Sequence, residues 1–547
     1  MHLSLLYAVV PTLLASLVGA APAPSPQDQG NDLNGGTKGK ALLTCVQKAL
    51  GSSGANRIVT PQSPQYASAR AGVILVEQYP ALVVYPNKPS ELSPLVKCAS
   101  SNGFKIAPRT GAHHFENWSA LTGSLVIDMS NINYVMPSEN LKTVVVGGGA
   151  KLGALYSILG EYGVTFTGGI CPSVGIGGYI GIGGYNMQMR TNGLAVDHMV
   201  SAKVILANGN LVTVSPTQNK ELWFAMRGGG TYGLTTEVTL KTTVLPRSAM
   251  FAMDFGADTR LEVTKKFLKW AARQDPLFNS QLNLYGNRTN VLGWYIGKTE
   301  NDLAKIVEAS GLNEVRGGTI RISGNCSPAN SRNFWLYTQN TCTDDLTAEG
   351  IFHSFFNVAP DALAPVPNVP PVTALSTIPA LPDVPSATKW SRVNIKVKTY
   401  VETKAKPLSD DAIKWLVDES AKLPHELDFW AEITTFNITA PATTSAFPWQ
   451  AQARTLFRLQ VMNGLEDAAL QKTSETFASK AESYLRTRLG EASYAGYIDT
   501  DISVNPLKAY YGNNVCRLIK ARKQYDPTNV FSNPFSVPPT VPKGITC

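Results

Sequence analysis

The segment that most restricts how this chain can fold is Cys171–Gly184, CPSVGIGGYIGIGG, in which positions 175, 177, 178, 181, 183 and 184 are glycine. Backbone so short of β-carbons can approach a ligand closely and turn its N–H groups toward a pyrophosphate. Gly175-x-Gly177 could open a dinucleotide fingerprint, with Asp197 about 20 residues on as the ribose acid. The context argues otherwise, because Pro172 and Ser173 precede it and no clean amphipathic helix opens on it. Glycine richness alone leaves the ligand open.

Length and composition narrow the class. A chain of 547 residues is too long for one small core and predicts two or more domains or one large composite one. An apolar content of 44% excludes intrinsic disorder. The net charge of +8 is mild for this length and no Lys/Arg-rich run accompanies it, which argues against nucleic acid as a partner. At the N-terminus an apolar stretch from Leu3 to Val18 ends in Val18-Gly19-Ala20 and Ala21, the small-residue pattern of a cleaved leader. It contains Pro11 and barely reaches the roughly 20 residues of a spanning helix. The expectation is a signal peptide over 1–21, secretion and no membrane anchor. Sequons at Asn117, Asn287, Asn325 and Asn437 suit that route. Disulfides are then the default fate of structural cysteines, yet the count is seven, which leaves one over.

Along the chain, Ala41 to Leu50 and Ser90 to Asn102 read as helices, while Gly72–Val76, Ala81–Pro86, Ser124–Met129 and Thr143–Gly147 read as strands. Another helix is expected over Leu152–Tyr162. From Met250 onward longer strands (Met250–Phe255, Gln281–Tyr285, Asn394–Val401) alternate with helices near 261–273, 301–310, 409–421 and 468–489. The proline-rich stretch Pro360–Pro385 reads as an extended surface loop. The alternation predicts an α+β or α/β architecture.

A second segment, Pro108-Arg109-Thr110-Gly111-Ala112-His113-His114, holds two of the six histidines in a small-residue turn. An isolated histidine pair is most often a surface or core feature, and no third ligand stands at a spacing that suggests a metal. Taken with other segments, it resembles a family. Arg109-Thr110-Gly111-Ala112-His113 is similar to the Arg-Ser-Gly-Gly-His motif of vanillyl-alcohol oxidase/PCMH-type flavoproteins. Cys171-Pro172-Ser173-Val174-Gly175 resembles the second attachment motif of their berberine bridge enzyme-like branch, which includes fungal oligosaccharide oxidases. Gly193–Asp197, Leu222–Gly230, Tyr510–Leu518 and Tyr525–Phe531 follow in the family's order, so the resemblance spans roughly residues 40 to 540.

The resemblance implies an α+β fold. A PCMH-type FAD-binding domain of two α/β subdomains would occupy 40–248. A substrate domain with an antiparallel sheet covered by helices would occupy 249–490, and 491–547 would return to the FAD domain. It implies a bicovalent FAD, bonded at the 8α-methyl by a ring nitrogen of His113 and at C6 by the sulfur of Cys171. His114 is the neighbouring alternative to His113. Arg109, Thr110, Gly111, Ala112, Ser173, Val174, Gly175, Gly177, Gly178, Tyr179, Gly181, Gly183 and Asn514 would contact the cofactor. With Cys171 so used, six cysteines remain. The family places a disulfide at Cys45–Cys98; Cys326–Cys342 and Cys516–Cys547 are one choice among 15 connectivities.

Hydride transfer from an alcohol or amine carbon to flavin N5 needs a base for the hydroxyl or amine proton. Tyr494–Asp499 resembles the family's Asn-Tyr-x-Asp segment, which puts Tyr497 in the place of the base and makes Asp499 a further catalytic candidate. A phenol near pKa 10 needs an activating positive charge or donor, or a carboxylate to take its proton. Glu432, in Phe429-Trp430-Ala431-Glu432-Ile433, resembles the acidic partner. Gly496 departs from the usual Asn, and Ala112 from Gly. Val174 matches a position where relatives with Val react readily with O2. The implied protein is a monomeric, secreted oxidase that passes hydride from an alcohol to FAD and then reduces O2 to H2O2, with a small-molecule substrate and no metal. The alternative is a secondary-metabolite oxidase or dehydrogenase of the same family.

Overall fold

The computed structural model describes residues 36–169, 171, 173–326, 394–440, 445–463 and 467–547. The leader at 1–21, Cys342 with its proposed pairing to Cys326, and the Pro360–Pro385 segment lie outside the described residues.

Helix α1 (Thr37–Leu50) buries Leu42, Val46 and Leu50, one per turn. Helix α2 (Leu92–Ser101) buries Leu92, Leu95, Val96 and Ala99, and the disulfide Cys45–Cys98 joins the two helices. They cover a four-stranded sheet of β1 (Ile58–Val59), β2 (Leu82–Val84), β3 (Ile106–Arg109) and β4 (Leu125–Asp128), in the order β1-β2-β4-β3. β2, β4 and β3 run parallel, and their mostly apolar, buried sequences, closed by Asp128 on β4 and Arg109 on β3, fit strands covered on both faces. The apolar run Gly72–Val76, expected as a strand, is not one; only Ile74 makes an isolated bridge. Its Val73 N–H is taken instead by the carbonyl of Ala112, and Val73 and Ile74 are buried beside the cavity described below. That run signalled burial, not a ladder.

A second sheet, fully antiparallel, contains β5 (Val135–Pro137), β6 (Thr143–Gly147), β7 (Met199–Ile205), β8 (Leu211–Val214) and β9 (Leu234–Lys241), ordered β5-β6-β9-β7-β8. Helix α3 (Leu152–Glu161) packs into the same core.

The third sheet has seven antiparallel strands: β10 (Ser248–Phe255), β11 (Phe278–Tyr285), β12 (Thr289–Ile296), β13 (Thr319–Cys326), β14 (Asn394–Thr403), β15 (Asp428–Thr435) and β16 (Ala453–Asn463). Their order is β13-β10-β12-β11-β15-β16-β14. Four helices cover one face: α4 (Arg260–Trp270), α5 (Glu300–Glu308), α6 (Asp410–Ser420) and α7 (Ala468–Leu489). Three start where the sequence caps them: Thr299 with Asp302, Ser409 to Ala412 N–H, and Asp467 to the N–H groups of Ala469 and Leu470.

The last helix, α8 (Val515–Tyr525), returns to the first half. Arg522 pairs with Asp526 and donates to the carbonyl of Thr231, and Arg517 pairs with Glu221 at 2.7 Å. Cys516–Cys547 ties the terminus to this helix. The architecture is α+β. Among the described residues no helix is long and apolar enough to cross a membrane. Asn117 is fully buried and donates its amide to the carbonyls of Arg70 and Val76, so that sequon cannot carry a glycan in the folded protein; Asn287 is exposed.

Candidate active site

Strand β3 ends at Arg109, whose buried guanidinium pairs with Asp128 at 3.0 Å and donates to the carbonyl of Ala71. The loop that follows interlocks with the glycine-rich loop, backbone against backbone. A Cβ on Gly111 would stand 2.4 Å from the carbonyl oxygen of Ser173, and one on Gly175 would stand 2.4 Å from Cβ of Thr110. Ala112 is held at φ +51°, a left-handed conformation costly for a residue with a β-carbon. The outcome is a contact between the two loops: His113 Nε2 lies 2.7 Å from Ser173 Oγ. Burial, then the nearby Lys151 charge, lowers His113 to about 4, so its imidazole is neutral at physiological pH. Burial alone lowers His114 to about 4; its Nδ1 accepts from Glu116 N–H.

Cys171 is a free thiol. Burial pushes it up to about 11, with Arg458 opposing and Glu432 adding to the rise. Its loop, the His113 loop, parts of the 229–235 and 531–536 segments and the uncovered face of the seven-stranded sheet enclose one cavity of about 640 Å³. A Cβ on Gly178 would meet nothing within 4 Å, so the glycine backbone there opens on the cavity. Tyr179 OH, also on its wall, is buried without a hydrogen-bond partner among the described residues. Bare glycine backbone, an unsatisfied hydroxyl, a neutral imidazole and a free thiol on one cavity fit the FAD expected from sequence.

On the sheet side, Glu432 of β15 and Arg458 of β16 are directly opposed across the ladder and form a buried ion pair. Tyr185 OH donates to Glu432 Oε1 at 2.9 Å, and Tyr185 and Tyr497 hydroxyls are 2.9 Å apart. Arg458 Nη1 donates to Tyr497 OH at 2.9 Å, and its guanidinium lies over the Tyr497 and Trp430 rings. An ionised carboxylate only accepts, so Tyr185 spends its proton on Glu432 and its oxygen is left to accept from Tyr497. Burial raises the Tyr497 phenol above its usual value even though Arg458 pulls it down. For Arg458, burial acts to lower its pKa, but Glu432 and the two tyrosines leave it raised.

The turn carrying Tyr497 is pinned on both sides. Ser493 Oγ donates to Thr399 O, Tyr494 OH accepts from Gly184 N–H at 2.7 Å, and Asp499 pairs with Lys398 at 2.7 Å. A Cβ on Gly496 would lie 2.3 Å from the Tyr494 ring, which accounts for glycine where the family has Asn.

Of the residues picked from sequence, Thr110, Gly111, Ala112, His113, His114, Cys171, Val174, Gly175, Gly177, Gly178, Tyr179, Gly181, Glu432 and Tyr497 line the cavity. Ser173 sits behind them on His113. Arg109, Gly183, Asp499 and Asn514 are not on the wall: Asp499 anchors the Tyr497 turn, and Asn514 donates to Ala446 O at 3.0 Å. Arg458 and Tyr185 escaped the sequence reading.

Fold and site define an FAD-dependent oxidoreductase. The FAD binding domain family matches residues 80–215, and the berberine and berberine like family matches 493–538. The chain is 41% identical over 514 residues to FAD-linked oxidoreductase pynB of Aspergillus niger, covering 93% of this chain and 94% of that protein. It belongs to the berberine bridge enzyme-like family of FAD-linked oxidoreductases. Wild-type BBE-like 1 of Physcomitrella patens superimposes with a TM-score of 0.73 at 25% identity, over 91% of this chain and 99% of the other. Glucooligosaccharide oxidase from Acremonium strictum, described with a 6-S-cysteinyl, 8α-N1-histidyl FAD, shares the fold at 20% identity and a TM-score of 0.72, over 91% and 99%.

Proposed function

We propose that the protein is a secreted oxidase that carries FAD tethered to both His113 and Cys171 and dehydrogenates an alcohol. Residues 40–248 form the FAD domain, 249–490 the substrate domain, and 491–547 the closing segment. The Ser173 hydroxyl occupies Nε2 of His113, which leaves Nδ1 as the attaching nitrogen; the A. strictum oxidase carries an N1-histidyl flavin. The flavin, when bound, accepts the hydride and passes two electrons to O2, giving H2O2; Val174 on the cavity wall suits O2 access.

The observation that carries the reading is the continuous set Tyr497–Tyr185–Glu432 with Arg458 beside it, on the same cavity as His113 and Cys171. Tyr497 is the group that takes the substrate's hydroxyl proton. A phenol held neutral cannot act as a ready phenolate, so its own proton moves to Tyr185 as that residue's proton moves to Glu432. Arg458 stays charged throughout and balances the negative charge left on the substrate oxygen. Asp499 acts only through the turn it anchors.

The test is anaerobic mixing of the holoprotein with a panel of alcohols and sugars. A substrate should bleach the yellow flavin, and Tyr497→Phe should slow that bleaching about 10²- to 10⁴-fold with the flavin still attached. Bleaching at the unmutated rate in Tyr497→Phe would remove Tyr497 from the chemistry.

A further inference from the structure

The uncovered face of the seven-stranded sheet carries one polar row across five strands. Asp254 of β10 pairs with Asn290 of β12, Asn290 with Asn283 of β11, Asn283 with Glu432, and Glu432 with Arg458. Their side chains are largely satisfied by one another and by near neighbours. Asn290 donates to Asp254 at 2.8 Å, and Asn283 donates to Asn290 at 3.2 Å. Asn283 Oδ1 accepts from both Gln281 (2.7 Å) and Trp430 Nε1 (3.0 Å). The Thr434 hydroxyl lies within 3.3 Å of both Gln281 Oε1 and Glu432 Oε1. Thus Gln281, Thr434, Trp430, Glu432 and Arg458 all line the cavity and each is engaged in hydrogen bonds, with only Arg458 Nε left over among the buried polar atoms of these five.

Among the polar side chains that line the cavity from this face, one has no such bond. Gln460, opposite Trp430 across the ladder, is 4% exposed and lines the cavity, yet its amide makes no hydrogen bond to any described residue. The rest of the wall beside it is apolar or aromatic: Met462, its ladder partner Ile395, Phe115 and the Trp430 ring.

From this we infer the substrate class: a mainly apolar, aromatic or conjugated alcohol with one further oxygen held by Gln460, not an oligosaccharide. This rests on the proposed oxidase reading. A pyranose brings several hydroxyls, each of which loses free energy if buried without a partner. Beyond the Tyr497 cluster and Arg458 Nε, which serve the reacting hydroxyl, the described residues that line the cavity from this face offer them one amide. An aromatic ring loses nothing there and gains the ring contacts of the wall.

The experiment titrates anaerobic holoprotein with benzyl alcohol, 4-hydroxybenzyl alcohol and cellobiose, and follows the flavin spectrum, whether perturbed or bleached, to obtain an apparent Kd for each. 4-Hydroxybenzyl alcohol should bind at least about tenfold more tightly than cellobiose. Gln460→Leu should weaken 4-hydroxybenzyl alcohol about tenfold while leaving benzyl alcohol within about twofold, which also shows that the variant folds. Cellobiose binding as tightly as the aromatic alcohols, an equal loss of both aromatic probes in Gln460→Leu, or no response to any probe would overturn the inference. Aromatic alcohols that perturb the flavin without bleaching it would leave the inference standing and defeat the oxidase reading instead.

Discussion

The two faces of the seven-stranded sheet are built from the same strands and both are buried, yet they differ in kind. Toward the helices point Phe251, Phe278, Leu282, Phe429, Ile433, Phe457 and Leu459, an apolar core that needs only volume and shape. Away from them point Gln281, Trp430, Glu432, Arg458 and Gln460, which face the cavity. Burying an ion pair costs more than burying leucines of equal size, so stability alone does not explain the second face. The period of two along each strand thus separates structure from chemistry residue by residue.

Substitutions at adjacent positions should break the two faces differently. The largest effect is expected at Arg458→Ala, which strips Glu432 of its partner and Tyr497 of its donor. Flavin reduction should fall at least about 10²-fold, and unfolding should show a loss of about 3–5 kcal/mol from the stranded carboxylate. Phe457→Ala, one residue away on the helix face, should cost a similar amount, about 3–5 kcal/mol, while the folded fraction keeps its kcat and KM. Changed kinetics in Phe457→Ala would mean the faces are not independent.

A smaller effect sharpens the same contrast on the wall opposite the sheet. His114 has a folded pKa of about 4 and an unfolded value of 6.5. Below pH 6.5 the unfolded chain takes up the proton first, so stability is complete above 6.5 and falls as pH drops toward 4. At about pH 5 this amounts to at most about 2 kcal/mol. Thermal melts from about pH 7 to about 4.5 should show a shallower acid decline in His114→Gln; an unchanged slope would mean this histidine is not desolvated.

Much of this was legible before the fold was seen, for physical reasons that differ by site. The loops of His113 and Cys171 announce themselves because their contact leaves no room for β-carbons at Gly111 and Gly175. The odd cysteine count left one over, and the resemblance of its motif to the family assigned that one to Cys171. Glu432 and Tyr497 could be named as a proton-accepting pair, but the group that links them could not: Tyr185 reaches both from a loop 247 residues before Glu432. Arg458 looks like any polar residue in an alternating strand, and only the Glu432–Arg458 register gives it a role. Asp499, two positions after Tyr497, pairs with Lys398 and stays off the cavity wall. Cys45–Cys98 follows from packing α1 on α2, which no spacing reveals.

The central claim is that the cavity between the loops and the polar sheet face holds one doubly tethered FAD. Proteolysis of acid-precipitated protein followed by mass spectrometry tests it most directly. The account predicts a single flavin that survives precipitation and joins the His113 peptide to the Cys171 peptide, and that is released only when both residues are replaced by alanine. Flavin washed out of the unmutated protein, or attached to neither residue, would contradict it.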